Sequence, residues 1–254
     1  MTVNEIYAFL EELAPFKYQD SYDNSGFLIG DKDAEITGVC LCLDITLDVI
    51  AEALKKRANL IISHHPVIFK PLSGVKAKTP VHMLIKHEIN AICAHTNFDV
   101  AFLSDIMLDL LELPQGGEAI EPINADGAGF GRIADLPEAV LADKLALKCK
   151  QAFNSSVVRY YDAGKPIRRV GVCSGGGGGA FEKAVNKGCD AFITGEVKHS
   201  FFIDALNLGI TLIEAGHFHT ENPFCDFLKK QLHEQFPQIP VFIAENSSDF
   251  CEYI

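Results

Sequence analysis

Three short runs hold the residues of this chain best suited to chemistry: Ser63-His64-His65-Pro66, His95-Thr-Asn-Phe-Asp99 and His217-Phe-His219-Thr-Glu221. Imidazole nitrogens and carboxylate oxygens are the ordinary ligands of divalent zinc, iron, manganese and nickel. Five of them, His64, His65, Asp99, His217 and Glu221, suffice for two cations that share a carboxylate. Positions left open on such a pair hold a water that becomes nucleophilic near neutral pH, which is hydrolytic chemistry. His95 and Glu196 are the candidate proton carriers beside it.

The spacing admits more than one local geometry. His95 and Asp99, like His217 and Glu221, are four residues apart and would share a face if each pair lay on one helix. For the second pair the sequence predicts a turn instead. Thr220 suits an N-cap, Glu221 a first helical turn and Pro223 the start of a helix, so His217 falls before it. Glu221 on that reading is also explained as a plain helix N-terminal acid. The adjacent histidines read as ligands or as coincidence until Pro66 turns the chain and lets them splay toward two metals. His82, His87 and His233 fall on predicted helices as solvated side chains, while His199 and His219 lie nearer the chemistry.

Ser174 is followed by five glycines, Gly175 to Gly179, between a predicted strand and a predicted helix. Exposed amides at such a place bind phosphate, and a flexible turn explains the run equally well. It is neither a Walker A loop nor a dinucleotide fingerprint. No Ser-His-Asp or Cys-His nucleophile pattern competes with the metal reading.

These residues need rigid elements behind them, and apolar runs alternating with helical periodicity predict an α/β protein of largely sequential βα units. Polar residues follow the apolar runs: Asp44 after GVCLCL, His64 and His65 after NLIIS, His95 and Asp99 after NAICA, Glu196 after AFITG and His217 after TLIEAG. Sites gather at that carboxyl edge of an α/β sheet. The stretch from Pro114 to Asn124, rich in Gly, Glu and Pro, reads as a connection between two lobes. The expected division is therefore residues 1–120 and 121–254, with the C-terminal helix packing back on the first lobe. Further helices are expected near 3–13, 47–57, 80–87, 104–113 and 138–151, with a strand near 157–161.

The 254 residues carry 34 acidic against 22 Lys and Arg side chains, a net charge of −12, and no basic stripe. Nucleic acid and anionic membrane surfaces are excluded as partners on that ground. No apolar run is long enough to span a bilayer and no secretory signal pattern opens the chain, so a cytoplasmic location is expected. None of the eight cysteines forms a CxxC pair, and several lie in apolar strand-like runs as small hydrophobes.

The motifs DNSGFLIG at 23–30, LDIT at 43–46, ISHHP at 62–66, HTNFD at 95–99, CSGGGGG at 173–179, DAFITGE at 190–196 and GHFHTE at 216–221 occur in that order. Together they resemble the NIF-three-like dinuclear metal centre family, whose bacterial members are called GTP cyclohydrolase I type 2 homologues. The resemblance runs nearly the whole chain. It implies two α/β lobes with two divalent metal ions in the cleft between them, ligands at His64, His65, Asp99, His217 and Glu221, and a toroidal homohexamer. It places His95 next to the centre. The function expected is a metal-dependent hydrolase of a small substrate, phosphorylated or nucleotide-like; the rival is a metal-storage, metal-delivery or interaction protein.

Overall fold

The computed structural model describes residues 1–124 and 127–254. They form two units, Met1–Phe98 with Phe224–Ser248, and Asp99–Pro223 with Asp249–Ile254.

The first unit is built on Gly26–Ile29 (β1), Val39–Cys42 (β2), Leu60–Ser63 (β3), Asn90–Cys93 (β4) and Val241–Ile243 (β11), in spatial order β1-β4-β3-β2-β11. The strands β11, β2, β3 and β4 are mutually parallel, and β1 joins the edge antiparallel to β4. Every residue of VCLC, LIIS and NAIC is buried, with no alternation, because parallel strands are covered on both faces. Leu47–Lys55 (α2) and Pro80–Lys86 (α3) cover one face: Val49, Ile50, Ala53 and Leu84 pack on Cys40, Cys42, Ile61 and Ala91. Thr46 and Thr79 cap these helices through their hydroxyls. Val3–Leu13 (α1) buries Val3, Ile6 and Leu10, and its capping box pairs Thr2 with Glu5.

Glu52 of α2 fastens the chain beyond β11. Its carboxylate accepts from Lys56 Nζ at 2.8 Å, the Glu245 amide at 3.1 Å and the Asn246 amide at 3.2 Å. Burial opposes its charge, yet these donors hold its pKa down to about 2.

The second unit contains Ala119–Pro122 (β5), Gly129–Val140 (β6), Arg159–Tyr161 (β7), Ile167–Cys173 (β8), Ala191–Thr194 (β9) and Thr211–Glu214 (β10), ordered β5-β6-β8-β9-β10-β7. Among the described residues of this sheet, parallel pairing joins β8, β9 and β10. Ser104–Leu110 (α5) and Ala142–Ala152 (α6) bring Met107, Leu108, Leu145 and Cys149 to Val170, Val172, Ile193 and Ile213. Gly178–Asn186 (α7) and His199–Leu208 (α8) bring Phe181, Ala184 and Ala205 to Ile133, Phe192 and Leu212 on a separate core.

The chain changes unit between Phe98 and Asp99, inside a helical run, whereas composition points to residues 120/121. That run is Thr96–Phe98 (α4), a π turn at Asp99–Leu103 and then α5. Phe98 is buried against Phe224 of Pro223–Gln235 (α10), with ring centroids 4.8 Å apart, while Met107, Leu108 and Leu111 belong to the core of the second sheet. The Gly- and Pro-rich stretch itself holds β5, which pairs with β6. A Cβ on Gly129 would lie 2.2 Å from Glu121 O, so that glycine permits the close approach of β5 and β6. Helix α6 starts at Ala142, later than expected, because β6 continues to Val140.

Among the described residues no helix is long and apolar enough to cross a membrane. All eight cysteines are free thiols, and only Cys251 is exposed. Burial pushes Cys40, Cys149 and Cys173 up to about 12, as expected of structural hydrophobes.

Candidate metal centre

In the first unit the register Cys42–Ser63–Cys93 aligns the ends of β2, β3 and β4. Asp44, His64, His65 and His95 therefore leave the sheet from one edge. Their rings form a triangle, with centroids 5.3 Å apart for His64 and His65, 5.2 Å for His64 and His95, and 5.5 Å for His65 and His95. Each of the three offers a ligand atom within 4.8 Å of the others.

An oxygen fixes each ring at Nδ1. His64, fully buried, faces the Ala94 carbonyl at 2.9 Å; His65 faces Asp44 Oδ1 at 2.9 Å; His95 faces Asp23 Oδ1 at 2.8 Å. A carbonyl only accepts, so Nδ1 of His64 carries the proton and Nε2 is the nitrogen it offers to a cation. The same assignment for the other two gives three imidazoles in the tautomer that metal sites use.

Asp23 is the residue that the sequence reading missed. Its Oδ2 accepts from Ser25 Oγ at 2.8 Å, Thr96 N at 3.1 Å and Thr96 Oγ1 at 2.5 Å, while Oδ1 takes His95. Burial opposes its charge, but the His95, Thr96 and Ser25 hydrogen bonds keep it well below the usual carboxylate range. The signal was the DNSG run, and its partner lies 72 residues away.

In the second unit Cys173, Thr194 and Glu214 end β8, β9 and β10 in register. Gly216, at φ +98°, starts the helix His217–Glu221 (α9). The pair expected in a turn is therefore helical and shares a face, with His217 Nε2 3.0 Å from Glu221 Oε2. Thr220 does not cap the following helix. Its hydroxyl bonds back to the carbonyls of Gly216 and His217 and accepts the Gly175 amide at 3.1 Å. Glu196 Oε2 lies 3.5 Å from His217 Nδ1, and Ser174 Oγ donates to Asp99 Oδ1 at 3.0 Å.

Glu221 is only 3% exposed. The buried Cys173 thiol is raised by desolvation first and then by the charges of Asp99 and Glu221, so carboxylates gather here in a poorly hydrated place. That donor chemistry calls for a cation.

Two glycine-loop amides are spent internally, Gly175 on Thr220 and Gly177 on Thr194 Oγ1. Gly176, Gly178 and Gly179 line a cavity of about 570 Å³ with Arg159, Glu196 and Lys198. Arg159 there is paired with Glu214.

Of the seven candidates, His64, His65 and His95 come together in the first unit. His217, Glu221 and Glu196 come together in the second, where Asp99 is held by Ser174. Asp23 faces His95 in the first unit, and Ser174 donates to Asp99 in the second.

The sequence matches the family model described as Duf34/NIF3 (NGG1p interacting factor 3) over residues 1–249. A Clostridium acetobutylicum protein named GTP cyclohydrolase 1 type 2 homolog is 31% identical over 261 residues, covering 98% of this chain and 97% of its own. A Campylobacter jejuni protein of the same name is 34% identical over 253 residues, covering 97% and 98%. The crystal structure of a Staphylococcus aureus hypothetical protein superposes with a TM-score of 0.92 at 29% identity, covering 100% of this chain and 99% of that one.

Proposed function

The chain belongs to the Duf34/NIF3 family, and from that membership we propose that it is a metal-dependent hydrolase of a small substrate, phosphorylated or nucleotide-like. In this reading two divalent cations, zinc, iron, manganese or nickel, are held by His64, His65, Asp99, His217 and Glu221 in one dinuclear centre. The observation that carries it is the triangle of imidazoles whose Nδ1 atoms are each fixed by an oxygen, so that three side chains with ligand chemistry converge within 4.8 Å. In this reading the carboxylates Asp99 and Glu221 would supply the negative charge that imidazole ligands do not.

Such cations, when bound, supply Lewis-acid polarisation of an electrophile and a lowered pKa of water. This chain's residues do the rest. Asp44 and the Ala94 carbonyl orient His65 and His64. Asp23 holds the proton of His95 at Nδ1, which leaves Nε2 to exchange protons with a reacting group. The place of Glu196 beside His217 Nδ1 supports an orienting role for it, alongside proton transfer. The glycine loop's remaining amides would receive a phosphate.

The proposal is tested by incubating metal-replete protein with phosphoesters, cyclic amides and nucleotides. Turnover that disappears on chelation, and falls at least 100-fold in His95→Gln, supports it. Metal-replete protein that turns over none of them contradicts the hydrolase and leaves metal storage, delivery or an interaction role. A homohexamer belongs to the same proposal, and a light-scattering mass other than six chains contradicts that part.

A further inference from the structure

Two neighbouring aromatic rings are exposed near the histidine triangle. Phe69 is 42% and Tyr22 is 60% exposed. In the segment after His65, Val67 and Ile68 pack on the core of the first sheet, whereas Phe69 turns outward. Its ring lies 6.2 Å from that of Tyr22 at an interplanar angle of 51°, and 6.4 Å from the His95 imidazole, edge-on at 74°. The two rings thus form an open wedge whose inner end is His95.

The wedge is held in place from both sides. Asn24, two residues after Tyr22, donates through Nδ2 to the Ile68 carbonyl at 2.6 Å, directly before Phe69. Asp23, the neighbour of Tyr22, fixes His95. One short run of chain therefore sets the position of Tyr22, of the segment carrying Phe69 and of the innermost imidazole.

Exposed, tilted, preorganised aromatic faces are what a flat π-rich ring stacks on, at little ordering cost. We propose that Phe69 and Tyr22 form a stacking platform that seats a planar heterocycle of the substrate, of the nucleobase or pterin kind, against His95. The proposal rests on the reading of the histidine triangle as the reaction site. It names two specificity-determining residues and narrows the substrate to one bearing a flat ring.

The chain has no tryptophan, so Phe69→Trp places a single indole reporter on the platform. With the full-length, metal-replete variant, guanosine and adenosine should quench its emission saturably, and ribose 5-phosphate should not. In equilibrium dialysis Phe69→Ala and Tyr22→Ala should each bind guanosine about tenfold more weakly than the unmodified protein, with metal content unchanged. Quenching that is absent, or equal for ribose 5-phosphate, overturns the platform. So does unaltered guanosine affinity in both alanine variants, including the case where they change only the oligomeric mass, which would mark these rings as a contact between copies. Protein that binds guanosine through these residues but holds no metal would leave the platform standing and remove the dinuclear reading instead.

Discussion

A Cβ on Gly175 would fall 1.8 Å from Glu221 Oε1 and 3.4 Å from His217 Nε2. At φ +55° the position also favours glycine on conformational grounds. The glycine loop is therefore packed directly against a buried carboxylate, and its first glycine shapes the acidic side of the site. Gly175→Ala is expected to displace Glu221 and weaken cation binding roughly 10–100-fold, the usual cost of disturbing a ligand's support, while circular dichroism stays native. Titration against a chelating dye reads this, and an unchanged affinity would mean that Glu221 does not touch the cation.

Asp23→Asn removes an acceptor that no amide can replace. Ser25 Oγ, Thr96 N and Thr96 Oγ1 all donate to Oδ2, and an NH2 group in its place would set donor against donor. Rotating the amide puts the same conflict on His95. The variant should lose about tenfold or more in turnover through the freed His95 ring, with metal affinity kept. Unchanged turnover would show that His95 needs no orientation from Asp23.

Much of this was legible in the sequence, and the exceptions share a cause. The runs VCLC, LIIS, AFIT and TLIE announce parallel strands because burial on both faces demands continuous apolar residues, so the polar residue after each could be placed at one sheet edge. What stayed hidden depends on partners distant in sequence. Thr220 looks like an N-cap until Gly175, 45 residues away, is seen donating to its hydroxyl. Asp23 opens the DNSG run with nothing near it in sequence to mark its partner, His95, 72 residues away.

Acid stability should report on Glu52. Its folded pKa, about 2 against an ordinary 4.5, is depressed, so the stabilisation is fully present above about pH 4.5 and is lost as pH falls toward 2. Glu52→Gln is expected to lower unfolding free energy at pH 7 by up to roughly 3 kcal/mol and to flatten the pH dependence between 4.5 and 2. Urea unfolding across that window measures both. Parallel curves for the two proteins, displaced or not, would count against Glu52 as the acid-sensitive clasp of the Glu245–Asn246 segment.

Elemental analysis of protein saturated with zinc and freed of excess by gel filtration decides whether His64, His65, Asp99, His217 and Glu221 hold two cations. Two zinc ions per chain are expected, with one or none retained by His64→Ala and by Glu221→Ala in samples that keep native circular dichroism. Unchanged metal content in both variants would contradict that assignment.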